Sequence, residues 1–257
     1  MAGSRRVVGT CHLCSEDTEL TFEHVPPEKA FNGTRLRSFG IDDWLKNNGE
    51  LPETGGKIRQ RGFGAYTLCD PCNTKTGAWY GAEYVRWAVG FWETLDQIPH
   101  SQERATICVQ SRFPLRFLKQ ACTMFFSANA PRSFAARHCD LARFLLNKES
   151  REFPRDIDVC LSLYRGPLAR VIGVTGKLEV AIGAAELVSE VAYPPFALRL
   201  ISNCGPADRL GSISHFTNYA FGDRADLSLA VGVGAGNTPY PGDYRSKERV
   251  LADAGKL

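Results

Sequence analysis

Two Cys-x-x-Cys pairs, Cys11-His-Leu-Cys14 and Cys69-Asp-Pro-Cys72, stand 54 residues apart in this chain. Each pair sets two sulfurs on one side of a tight turn, and two such turns can close a tetrahedral shell around Zn²⁺. Four thiolates leave no open coordination position, so the expected zinc is structural. A redox pair would instead open a helix in a thioredoxin-like βαβ setting, which the flanking residues lack. The chain has nine cysteines, and the other five are scattered at positions 108, 122, 139, 160 and 204. An odd, dispersed set of this kind fits reduced thiols plus one metal centre better than a disulfide framework.

Glu23-His24 follows the first pair by ten residues, and Asn73 directly follows the second. One ion joining the pairs would draw these groups together. A histidine beside a carboxylate and a side-chain amide suits metal-assisted phosphodiester hydrolysis. It offers a base that works near neutral pH and oxygen ligands for a hard cation such as Mg²⁺ or Mn²⁺. A histidine standing alone is ordinarily a hydrogen-bonded structural residue, and only the cysteine frame gives the catalytic reading its weight.

Taken together, Cys11-His-Leu-Cys14, Thr21-Phe-Glu-His24-Val-Pro-Pro27 and Leu68-Cys-Asp-Pro-Cys-Asn73-Thr-Lys75-Thr-Gly77 resemble the zinc-bearing branch of the HNH endonucleases over about residues 8–80. The resemblance implies a treble-clef-like ββα-metal module in which His24 is the general base and Glu23 and Asn73 ligate the catalytic Mg²⁺ or Mn²⁺. It implies a helix begun near Cys72 lying over a two-strand hairpin, with DNA as the substrate. Lys75, Arg59 and Arg61 become candidate phosphate contacts at the same mouth. Stand-alone members with an added module resemble restriction or anti-phage effectors, which makes host defence the expected setting. The chain departs from the pattern in having Glu23 where Asp is commoner and no histidine after Asn73 within the helix. Asn32, Asn47 and Asn48 all compete for the central asparagine. A zinc module that binds nucleic acid or protein without cutting is therefore the alternative.

The elements that must position these groups can be read coarsely as α+β. Thr18–Glu23 reads as a strand ended by two prolines, and Arg59–Leu68 as a second strand entering the second cysteine pair. Residues 30–56, rich in Gly, Asn and Asp, read as a surface insertion with one helical patch at Ile41–Lys46. Trp79–Leu95 has helical apolar spacing, and its aromatic stripe reads as core rather than as a stacking platform. Helical patterning resumes over 101–147, divided by Pro114 and Pro131. From Ile157 onward β-rich runs take over, and Gly232–Gly236 reads as a turn. The division is an HNH module at 1–98, a helical region at 99–152 and a β-rich module at 153–257. The last two carry no readable motif and are available to a protein partner or a homo-oligomer.

The composition of 257 residues, 44% apolar and 23% charged, supports a sizeable core and argues against disorder. The net charge of +3 is unevenly spread: residues 101–170 hold 12 Lys and Arg against 6 Asp and Glu. Such an excess would attract a phosphate backbone if it faced one way, and otherwise describes a solvated surface. The basic start lacks an apolar stretch and no run nears the length of a membrane span, so the expected location is the cytoplasm.

Overall fold

The computed structural model describes residues 6–47, 52–166, 168–179, 184–202, 210–235 and 252. The chain is a mixture of α-helices and β-sheets, with its cysteine cluster near the N-terminus. Strands β1 (Val7–Thr10) and β2 (Asp17–His24) form a hairpin across the first cysteine pair. A small hairpin follows, made of β3 (Leu36–Ser38) and β4 (Lys57–Arg59), with helix α1 (Ile41–Lys46) in its connection. Strand β5 (Gly64–Cys69) then returns to pair antiparallel with β2, giving the sheet order β1-β2-β5.

β5 runs without a loop into helix α2 (Asp70–Thr76), where Pro71 sits in the first turn and lacks an N–H that would have gone unpaired in any case. The helix widens into a π turn at Gly77–Gly81 and continues as α3 (Ala82–Leu95). From α3, Tyr84 and Trp87 are buried and stack on Phe117, with centroid distances of 5.4 and 4.2 Å. Tyr80, Tyr84, Trp87 and Phe91 are core, as their spacing suggests, whereas Trp79 is half-buried and Trp92 is 41% exposed.

Beyond Ser101 the structure corrects the sequence reading. Arg104–Arg112 is a strand, β6, rather than helix, because Ala105, Ile107 and Val109 alternate with polar residues and bury one face. Helix α4 (Pro114–Ala128) follows, then the short α5 (Ser133–Arg137) and α6 (Cys139–Leu146). The remaining strands are β7 (Ile157–Tyr164), β8 (Arg170–Glu179), β9 (Ala184–Tyr193), β10 (Phe196–Ser202) and β11 (Ala225–Gly234). The β-rich runs read from Ile157 onward are thus continuous strands, β8 being ten residues long. Gly232–Gly234 are not a turn but the end of β11, parallel to Ser162–Tyr164; Gly236 lies outside the described residues.

These strands make one sheet in the order β6-β11-β7-β10-β9-β8. The helical region thus supplies an edge strand to the β-rich part. A continuous buried cluster also links Cys11, Trp87, Phe117 and Leu198, crossing both of the boundaries drawn from sequence. Helix α4 is its centre, touching α3, α6, β5 and the strands β8, β9 and β10. No helix among the described residues is long and apolar enough to cross a membrane.

Helix α4 also buries a charge. Lys119 is fully buried and its Nζ donates to the carbonyls of Phe144 and Asn147, both at 2.7 Å, capping α6. Burial pulls its ammonium down to about 8, whereas in an unfolded chain it titrates near ~10.4. Between those values the unfolded chain holds the extra proton, so this group makes stability rise with pH across that window. Urea denaturation from pH 8 to 10.5 should show the wild-type protein gaining stability relative to Lys119→Met, by a total on the order of 3 kcal/mol. Parallel pH profiles for the two proteins would exclude this linkage.

Candidate metal centre and the residues around it

The register of β2 against β5 pairs Leu20 with Cys69, bringing the end of β5 beside the turn that carries Cys11 and Cys14. That turn is closed by Cys11 N–H to the Glu16 carbonyl (2.8 Å) and Ser15 N–H to the Cys11 carbonyl (2.9 Å). Cys72 lies one helical turn beyond Cys69. The four sulfurs fall within 4.8 Å of one another, and Sγ of Cys14 and Cys69 are 3.8 Å apart. A tetrahedron with Zn–S bonds of about 2.3 Å has edges of roughly 3.8 Å. Cys11, Cys69 and Cys72 are buried and the Cys69 N–H donates to Sγ of Cys11 at 3.3 Å. Hydrogen bonding from Cys72 holds the Cys11 thiol down at about 4, while Cys72 is pushed above the ordinary thiol range. Donor chemistry, spacing and burial all fit a bound metal ion such as zinc.

The centre is tied to the core by its neighbours. His12 Nδ1 donates to the Phe126 carbonyl at 3.1 Å, Thr67 bonds Ser127 and Arg132 pairs with Asp17. The last pair shows where part of the positive excess goes. Arg143 pairs with Asp140 and Arg170 with Glu190, while Arg116 lies over the Phe113 ring. The arginines of the middle segment thus divide among several partners on different elements.

Asn73, in the first turn of α2, donates through Nδ2 to Thr21 Oγ1 at 2.9 Å. Its Oδ1 has no hydrogen-bond donor among the described residues. Alternation along β2 puts Glu23 on the same side as Thr21, which Asn73 meets, although the register against β5 shifts between Thr21 and Phe22. Glu23 is only 8% exposed, its carboxyl is pushed up to about 7 by burial, and it makes no ion pair among the described residues. His24 leaves β2 on the other side, where its ring meets Phe22 edge-on at 4.9 Å. Its Nε2 donates to the Arg61 carbonyl at 2.8 Å, so the lone pair of the neutral ring is on Nδ1. Glu23 and Asn73 are thus gathered on one side, with His24 at the strand end on the other.

Of the candidate phosphate contacts, Arg61 is exposed beside His24, Arg59 is half-buried with Nε on Ser38 Oγ, and Lys75 is exposed on α2. Among the asparagines of the 30–56 segment, Asn32 has a clear structural place. Asn32 is fully buried, donates to the carbonyls of Pro26 (2.6 Å) and Phe63 (2.8 Å), and accepts the Phe63 N–H at 2.7 Å. It knots the loop after His24 to the start of β5. Gly62, at φ +75°, passes so close that a Cβ would lie 1.8 Å from the Asn32 carbonyl oxygen. Asn47 lies just after α1, and Asn48 is outside the described residues.

Elemental analysis of the purified protein should find one zinc ion per chain, lost in Cys72→Ala; full-length protein with no bound metal would remove the centre. Asn32→Ala should cost about 2–3 kcal/mol in chemical denaturation, because it strands the Phe63 N–H and the buried Pro26 carbonyl. An unchanged midpoint would show that the loop does not depend on this knot. The chain matches no protein-family model, no curated protein and no solved structure, so what its centre can do rests on these side chains alone.

Proposed function

We propose that the chain is a metal-dependent nuclease of the HNH type, cutting phosphodiester bonds in DNA on a module framed by structural zinc. The observation that carries this reading is the cysteine cluster. By joining the β1–β2 turn to the start of α2, it sets the Asn73 amide against β2 within three residues of His24. The order of strand, strand and helix around Cys11, Cys14, Cys69 and Cys72 agrees with the sequence resemblance.

Each side chain has a task in that reaction. His24 takes a proton from the attacking water at Nδ1, while the Arg61 carbonyl fixes the tautomer by holding Nε2–H. Glu23 and the Oδ1 of Asn73 offer two oxygen donors free of protein partners, suited to a hard cation that keeps most of its waters. A bound Mg²⁺ or Mn²⁺ would supply Lewis-acid stabilisation of the scissile phosphate and leaving oxygen. Nearby positive charge would also favour the ionised form of Glu23 against its burial. Arg61 and Lys75 are exposed cations for the flanking phosphates.

One observation favours a second reading. His24 departs from β2 on the side opposite Glu23 and Asn73, and Glu23 is nearly covered, as suits a zinc module that binds nucleic acid without cutting it. Plasmid nicking separates the two. With Mg²⁺ or Mn²⁺ the wild-type protein should nick supercoiled DNA, and His24→Ala should lose at least about 100-fold in rate with zinc content and circular dichroism unchanged. Equal nicking by the variant would take His24 out of the mechanism. Salt-sensitive binding without cleavage of DNA or RNA would favour the second reading.

A further inference from the structure

A groove of about 1080 Å³ lies between the β3–β4 hairpin and the outer strand of the six-stranded sheet. One part of its lining is aromatic: Phe31, Phe63 and Trp92. Trp92 is 41% exposed and its ring lies 4.4 Å from that of Phe31, tilted by 35°. Phe31 is held in place by the Tyr193 hydroxyl, which donates to its carbonyl at 2.9 Å. Another part is cationic: Arg37, Lys57 and Arg59 of the hairpin. Lys57 and Arg59 share one face of β4, and none of the three has a carboxylate partner among the described residues. The carboxylate of Asp43, also in the lining, accepts the Gly40 N–H.

Accessible aromatic faces beside unpaired cations suit a ligand that presents a planar base and a phosphate. Hydrogen bonds connect the lining to the segment that holds His24. Arg59 and Phe63 bracket Arg61, whose carbonyl receives the His24 Nε2–H, and Phe31 precedes Asn32, which bonds Phe63. An occupant that ran past Arg59 and Phe63 would come to the strand end where His24 stands. Stacking on Trp92 requires a base that is not already stacked and paired in a duplex.

We propose that this groove holds an unpaired stretch of nucleic-acid strand, with bases on Trp92 and Phe31 and phosphates on Lys57 and Arg59, and leads it to His24. The last step rests on the nuclease reading, whereas the binding does not.

Fluorescence anisotropy of a labelled 15-nucleotide oligothymidylate, without added divalent cation, tests the groove. The full chain should bind it in a salt-dependent way and at least about 10-fold more tightly than a duplex of the same length. Trp92→Ala should weaken binding by roughly 5- to 100-fold, while Trp92→Phe retains most of it. The substitutions Lys57→Glu, exposed, and Arg59→Glu, half-buried, should reduce the salt slope, with zinc content reporting that each variant is folded. Wild-type affinity in these variants, equal affinity for duplex, or displacement by thymidine monophosphate as effectively as by unlabelled oligomer would each overturn the proposal. Groove-dependent binding without Mn²⁺-dependent cleavage would remove the nuclease reading and keep the groove. Cleavage untouched by the groove variants would do the reverse.

Discussion

Four sulfur atoms within 4.8 Å of one another are the constraint around which the N-terminal third is arranged. Neither cysteine pair can form such a shell by itself, and the strands that carry them are short. β1 has four residues and β5 has six, too few for two-stranded pairing to be stable in water without further support. An ion gripped by all four thiolates would link the β1–β2 turn to the first turn of α2, and its binding free energy would count toward folding. The contacts of Asn73 with Thr21, and of His12 and Thr67 with the end of α4, flank that cluster.

The rest of the molecule shows how a core can carry polar groups when each has a stated partner. Glu83 is buried yet pairs with Arg86 and accepts from Trp87 Nε1 and the Phe113 N–H, joining α3 to the start of α4. Asn129 accepts the Val174 N–H and donates to Ser189, fastening the end of α4 to β8 and β9. Replacing one partner in such a set leaves a desolvated group behind, which costs more than the hydrogen bond contributed. These bonds, together with those from Lys119 of α4 to the end of α6, connect the cysteine cluster through α4 to the far sheet.

The cysteine centre was legible because its signal is local: two short motifs, each with its own turn, need only be brought together. The α1 helix and the β-rich end were legible for the same reason, from contiguous patterns. β6 was missed although Ala105, Ile107 and Val109 alternate plainly, because the neighbouring helical pattern was extended across them. Its partner β11 lies more than a hundred residues away, and local spacing does not reveal such a pairing. Asn32 was one of three candidates, since burial and backbone partners, not residue type, single it out. The opposite departures of Glu23 and His24 follow from strand alternation, which could have been applied to adjacent residues in advance. The groove could not, as its walls come from segments that meet only in the folded chain.

The π turn at Gly77–Gly81 sits between the two demands placed on one helix. A wider turn adds a residue to the path, and each residue rotates the downstream face by about 100°. Upstream, α2 must aim Cys72 at the sulfur shell and Asn73 at β2; downstream, α3 must aim Tyr84 and Trp87 at Phe117. A uniform helix would have only one phase with which to satisfy both. The local widening lets the two halves keep separate orientations on a single backbone, so sequence changes in the aromatic interior can be absorbed without turning the cysteine-bearing end away from its strand.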